Sequence, residues 1–213
     1  MSILSYIVVS LAAYLLGSIP TGFLVAKARG VDIRAVGSGN IGAANTFRAV
    51  GKTAGVIVLL IDALKGFVAV ATSNLIVNFF GVAEPDRENY RIVAGIFAVL
   101  GHNYTCWLNF KGGKGIATSA GVYLALAPLA VLYAVVAFIL GFGLTRFTSV
   151  GSMLAAVALP TAVWFTRDNW MLRIVTIVLG ALALLRHRTN IKRLIAGTEN
   201  RVEFKKRPPK PGK

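Results

Sequence analysis

Apolar runs of membrane-crossing length alternate with short polar segments along the chain. The first run, residues 3–24, ends in Gly17-Ser18-Ile19-Pro20-Thr21-Gly22, and Pro20 predicts a kink near its end. The second covers 54–80 and carries Asp62 and Lys65 inside it; the third, 92–108, delivers His102 to the segment that follows. Residues 116–144 form one long apolar run with Pro128 near its middle, which predicts a break into a short fourth span and a fifth. The sixth (149–166) and seventh (170–185) are separated by the tight turn Arg167-Asp168-Asn169. About twenty apolar residues cross a bilayer as a helix. The pattern therefore predicts an all-α polytopic integral membrane protein of seven transmembrane helices. The polar segments read as connections: long at 25–53, short at 81–91 and 109–115, and a basic stretch from 186 onward. One transmembrane domain, 1–200, is expected, followed by a disordered basic cytoplasmic tail at 201–213.

Composition strengthens this reading. The 213 residues are 56% hydrophobic, and the mean hydropathy is +0.70; soluble domains are usually less apolar. The opening Met-Ser-Ile-Leu-Ser-Tyr lacks a basic region and a small-residue cleavage site, so the first run is a retained span. Cys106 is the only cysteine, which excludes an intramolecular disulfide and disfavours a cysteine-built metal site.

Charge then orients the chain. The formal net charge is +15. Nucleic acid, anionic headgroups or an anionic substrate could each account for it, but in a membrane protein Lys and Arg concentrate in cytoplasmic loops. With seven spans, 18 of the 23 basic residues share one side. That side is expected to be cytoplasmic, with the N-terminus outside and the C-terminus inside. A six-span version, with 116–144 unbroken, divides the charge less well.

Four polar segments carry the candidate chemistry. In the first, Gly37-Ser38-Gly39-Asn40-Ile41-Gly42 through Asn45 and Arg48, the glycine spacing formally matches a dinucleotide fingerprint. No strand precedes it and no βαβ unit surrounds it, so a Rossmann site is rejected. What survives is a Gly-rich turn whose backbone can approach phosphate, with Arg48 supplying a planar fork; the bland alternative is a flexible loop with a topology arginine. The second is 101–119, where Lys111, Gly112, Gly113, Lys114 and Gly115 place ammonium groups among exposed N–H groups. It is no Walker A loop, since no Ser or Thr follows the lysine, and its alternative is a solvated loop. His102 just before it is costly among membrane helices unless paired or facing a polar cavity. The third places Ser149 and Ser152 on one face at a helix N-terminus, where anion binding competes with ordinary capping. The fourth runs from Arg186 through His187, Arg188 and Asn190 to Glu199. Ile191, Leu194 and Ile195 suit an interfacial amphipathic helix, and a plain basic tail is the alternative.

Asp62 and Lys65 are three apart and read as a structural pair. Acids are otherwise scarce: the basic side has only Asp32, Glu199 and Glu203, with no aspartate pair spaced to hold magnesium on a pyrophosphate. A magnesium-dependent prenyltransferase or phosphatase is disfavoured. No nucleophilic cysteine with an obvious base and no Ser–His–acid set is visible.

Taken in order, Gly17 through Gly22, Gly37 through Arg48, Asp62-Ala63-Leu64-Lys65-Gly66, Gly101-His102 with Phe110 through Gly115, and His187 through Glu199 resemble the acyl-phosphate:glycerol-3-phosphate acyltransferase family of bacterial membranes, the PlsY type. The likeness covers about residues 14 to 200. Many members carry a proline soon after the Gly-His pair, where this chain has Thr105-Cys106. The resemblance implies acyl transfer from acyl phosphate to the 1-hydroxyl of glycerol 3-phosphate, at the cytoplasmic face of the inner membrane and without a metal or other cofactor. Fitting the polar segments to that reaction gives an expected catalytic set of His187, Asn190, Lys114, Ser38 and His102, with His102 either the base or a residue behind the reacting groups. Phosphate binding is expected from Gly39, Asn40, Asn45, Arg48, Lys111, Gly112, Gly113, Gly115, Ser149, Ser152 and Arg188. The expected partners are the two substrates and the lipid bilayer, with a monomer and no nucleic acid. The competing reading is an organic-phosphate transporter, against which stands the lack of an internal repeat.

Overall fold

A computed structural model describes residues 3–202. Most of the expected basic tail, 203–213, lies outside the described residues. Among the described residues there is no strand. Ten α-helices follow in order: α1 Ile3–Ser18, α2 Thr21–Lys27, α3 Ala43–Ala49, α4 Lys52–Phe79, α5 Glu84–Asn103, α6 Ile116–Leu126, α7 Pro128–Thr145, α8 Thr148–Thr166, α9 Trp170–Arg186 and α10 Arg188–Ile195.

The proline signals hold. Pro20 separates α1 from α2, and Ala127 (φ −150°) breaks the long run so that Pro128 opens α7. Proline lacks an N–H and disfavours helix in the residue before it. Ser18 and Ile19 at the first break keep their carbonyls bonded from outside. Thr105 Oγ1 donates to Ser18 O at 2.5 Å and Lys65 Nζ to Ile19 O at 2.9 Å.

Two expectations need correction. Residues 84–91, read as loop, are the first two turns of α5. Glu84 and Asp86 suit the positive end of the helix dipole, and Pro85 is tolerated in the first turn. Residues 43–49, read as connection, form α3. Length and apolarity suffice for crossing a bilayer in four stretches: 3–27 (α1 with α2), α4, α7 and α8. The pair α9–α10, bent by 50° at His187, adds a fifth. The charged start of α5 and the brevity of α6 keep those two from qualifying alone.

Packing follows small residues rather than apolar bulk, as expected where lipid competes for the apolar faces. A Cβ on Gly66 would stand 2.2 Å from Thr118 O, and one on Gly121 would stand 1.7 Å from Ala63 O. Only glycine lets α4 and α6 approach that closely. Large side chains such as Leu60, Leu132 and Leu140 instead point outward and are exposed.

Contacts separate two ends of the bundle. At one end Arg91 donates to Ala125 O at 2.6 Å, and Glu88 accepts from Arg167 and Asn169 at 2.7 and 2.9 Å. At the other, Ser149 Oγ donates to Glu199 Oε1 at 2.9 Å and Val202 N to Arg146 O at 3.0 Å. The second end carries the polar segments singled out from sequence.

Candidate active site

Three segments meet there around a cavity of about 550 Å³. Ser38, Gly39 and Asn40 line one side; Lys114 and Arg188, both expected, line others. Arg186, Arg193, Thr189 and Tyr104, to which the sequence reading assigned no role, also line it.

The α9–α10 corner is fixed by hydrogen bonds. His187 is 3% exposed and, like Asn190 and Arg48, stands just behind the lining residues rather than among them; its Nδ1 donates to Ala183 O at 2.7 Å. In the neutral ring this leaves Nε2 as an acceptor. One turn on, Asn190 Oδ1 accepts from the Lys114 ammonium, and Asn190 Nδ2 donates to Glu199 Oε1 at 2.6 Å. Glu199 Oε2 accepts from Arg193 Nε at 2.7 Å. A single carboxylate thus ties α8, α10 and Lys114's partner together. Burial alone would raise its pKa, but the bonds from Arg193, Asn190 and Ser149 outweigh it and keep Glu199 below the ordinary carboxyl range.

Arg48 joins this cluster from α3. Burial lowers its pKa first, while Glu199 raises it and Arg193 opposes it. Lys114 is pushed down to about 8, mainly by burial, then by Arg193; Glu199 acts against this, and Arg48 and Arg186 add to it. So Arg48, Lys114 and Asn190, more than sixty residues apart in part, occupy one neighbourhood at one end of the bundle.

The glycine loop departs from its expected role. Gly112 N–H donates to Asn103 O at 3.1 Å and Gly113 N–H to His102 O at 3.0 Å. Those amides are spent on the end of α5 rather than offered to an anion. Their glycines are needed for closeness: a Cβ on Gly112 would lie 2.0 Å from His102 O. Arg186 clamps the other face, donating to Gly113 O at 2.8 Å, Gly112 O at 3.0 Å and Asn103 O at 3.2 Å. Lys114 and the first-turn amides of α6, which follows Gly115, are the donors this segment keeps.

Other expected residues also sit elsewhere. Asn45 is buried; its Oδ1 accepts from Ser38 N at 2.9 Å and its Nδ2 donates to Ile33 O and Val36 O at 3.2 and 3.0 Å. It braces the Ser38 loop from behind and has no donor left for a ligand. Lys111 is exposed and outside the lining. Ser149 is occupied by Glu199, and Ser152 on α8 does not line the cavity. His102 stands behind the glycine loop, 3.6 Å from Asp62 Oδ1, and is not in the lining either. The missed residues left a usable signal. Glu199 is one of two acids, with Glu203, in a strongly basic stretch, and such an acid needs a reason. Arg186 left none, since a cation ending an apolar helix reads as a topology charge.

A helical membrane bundle with a cavity at one end lined by guanidinium and ammonium groups defines a membrane protein built to hold phosphate-like anions. The model of the Glycerol-3-phosphate acyltransferase family matches residues 7–197. The chain belongs to this family of membrane acyltransferases. A Geobacter sulfurreducens glycerol-3-phosphate acyltransferase is 46% identical over 200 residues, covering 94% of this chain and 99% of that protein. One from Trichlorobacter lovleyi is 47% identical over 191 residues, covering 90% and 94%. Crystal structures of PlsY, an integral membrane glycerol 3-phosphate acyltransferase, are similar in its glycerol 3-phosphate form (TM-score 0.84, 39% identity, 93% of this chain and 96% of that one). The lysophosphatidic acid form is similar too, with TM-score 0.81, 38% identity and the same coverage.

Proposed function

We propose that this enzyme transfers a fatty acyl group from acyl phosphate to the 1-hydroxyl of glycerol 3-phosphate, at the cytoplasmic face of a bacterial inner membrane. The observation that carries this reading is the convergence of the Ser38 loop, Lys114 and the α9–α10 corner on one cavity. Both substrates are phosphate monoesters or mixed anhydrides. Among the described residues, the carboxylate that offsets the cluster formed by Arg48, Lys114, Arg186, Arg188 and Arg193 is that of Glu199. Two dianionic groups match that surplus.

The hydroxyl oxygen attacks the acyl carbon, the bond from that carbon to the phosphate oxygen breaks, and inorganic phosphate leaves with the bonding pair. The hydroxyl proton passes to a phosphate oxygen, so no carboxylate base is required. Lys114, one of whose N–H groups donates to Asn190 Oδ1, keeps two N–H donors for phosphate. Arg48 and the Ser38–Asn40 loop hold a phosphate, and His187 Nε2 orients the reacting hydroxyl or carbonyl. Leu182 and Leu185 in the cavity wall, the latter exposed on the bundle surface, suit an acyl chain leaving toward lipid. Seven spans with the basic end cytoplasmic, acting as a monomer, fit this scheme and the segregation of charge.

Purified protein with palmitoyl phosphate and labelled glycerol 3-phosphate is expected to form lysophosphatidic acid in EDTA. Activity restricted to acyl-CoA, or abolished by chelation, would sink the proposal. The pH profile should follow Lys114. Its pKa of about 8 lies below the ordinary lysine value, so the ammonium is present below pH 8 and lost above it. The KM for the phosphate it holds should therefore rise above pH 8. Lys114's contribution to stability should rise over the same range, since between about 8 and the ordinary lysine value the unfolded chain binds the extra proton. An unchanged KM up to pH 9.5 would remove Lys114 from phosphate binding.

A further inference from the structure

The buried set Asp62, Lys65 and His102 lies outside the cavity lining, in a small enclosed space bordered by the α1–α2 break. Asp62 and Lys65 are 2% and 5% exposed, in the middle of α4, and their ion pair is 2.8 Å long. Two links lead outward from it. Lys65 Nζ donates to Ile19 O at the break before α2. On α2, a Cβ at Gly22 would stand 1.8 Å from Ile41 O, so the helix rests directly on the backbone that carries Ser38 and Asn40. In the other direction Asp62 Oδ1 lies 3.6 Å from His102 Nδ1, and a Cβ on Gly113 would lie 2.0 Å from His102 Nε2. His102 O holds Gly113 N–H at 3.0 Å, immediately before Lys114.

From this we infer that Asp62, Lys65 and His102 are positioning residues that set the separation between the Ser38 loop and the Lys114 loop. They reach the reacting groups only through those loops. An ion pair buried in an apolar bundle contributes little net stability compared with apolar replacements, but it holds one geometry firmly. Each loop binds its own phosphate; the distance between loops decides whether hydroxyl and acyl carbon meet. The inference rests on the two-phosphate reading above. It makes a specific demand: disturbing the set should lower kcat and leave the KM of each substrate nearly unchanged, because displacement of about 1 Å costs on the order of 10²-fold in rate.

The test begins with the paired substitution Asp62→Leu with Lys65→Met in the full chain, which leaves neither charge stranded. A monodisperse protein with a thermal midpoint near that of wild type, a kcat lower by roughly 10²-fold and both KM values within about threefold is expected. A kcat within threefold of wild type, or an effect confined to KM, overturns the inference. If the pair does not fold, Gly113→Ala decides: its methyl collides with the His102 ring, and kcat should fall as in the charge variant. Adding His102→Ala should then relieve the collision, so that the double variant is no slower than His102→Ala alone. Additive losses overturn the inference. Wild-type protein that makes no lysophosphatidic acid from acyl phosphate would overturn the two-phosphate reading itself; an active wild type with unaffected variants overturns only the positioning role.

Discussion

Lys114→Met should lower kcat/KM by about 10³-fold, the size of effect seen when a preorganised charged donor is removed from a developing negative charge. The methionine preserves length and packing, so folding should be retained. Lys114 is the residue on which most of the site's other members act: Asn190 Oδ1 accepts a hydrogen bond from it, and Arg48, Arg186 and Arg193 act on its charge. Lys114→Arg should rescue poorly, because a planar guanidinium cannot replace a compact ammonium against the Asn190 amide. Steady-state kinetics with both substrates varied would decide. A loss smaller than tenfold would mean that the arginines alone hold the phosphate.

The second large effect is expected from Glu199→Ala. Its carboxylate accepts from Ser149, Asn190 and Arg193 at 2.9, 2.6 and 2.7 Å. Removing it leaves three donors without their acceptor and lets the Asn190 amide turn, so Asn190 Oδ1 no longer faces Lys114. Activity should fall by roughly 10²- to 10³-fold. Stability should fall by about 2 kcal/mol, the scale of a lost hydrogen bond to a charged group. Glu199→Gln keeps an acceptor oxygen and should lie between the two. Melting curves and initial rates on the same preparations separate the effects. Full activity in Glu199→Ala would show that the corner is held without the carboxylate.

Several elements were legible before any coordinates. The runs at 54–80, 149–166 and 170–185 became α4, α8 and α9 within two residues at each end, because an apolar stretch of that length has one economical fate in lipid. Pro20 and Pro128 broke helices where expected. The first two turns of α5 were missed because Glu84, Asp86, Arg87, Glu88 and Arg91 look like loop residues. In the fold those charges find partners: Glu88 on Arg167 and Asn169, Arg91 on Ala125 O. Segment chemistry was also readable in part. Ser38, Lys114, Asn190 and Arg188 could be picked as polar groups in places where membrane proteins rarely spend them.

What could not be read was which face of each segment is occupied. Gly112 and Gly113 look like free anion donors until the end of α5 is seen to use their amides. Asn45 looks like a ligand until its amide is found bracing Ile33 and Val36. His102 reads equally as a base or as a supporting residue until it is found packed behind the loop against Asp62.

Helix number, the position of breaks and the basic character of one end follow from local hydropathy, proline chemistry and charge count, which act within a few residues. Which donors remain open to a ligand depends on hydrogen-bond partners sixty to ninety residues away, such as Asn103 with Arg186 and Lys114 with Asn190. Only the packed bundle selects those partners, because a buried polar group must bond to whatever the fold brings within 3 Å or so.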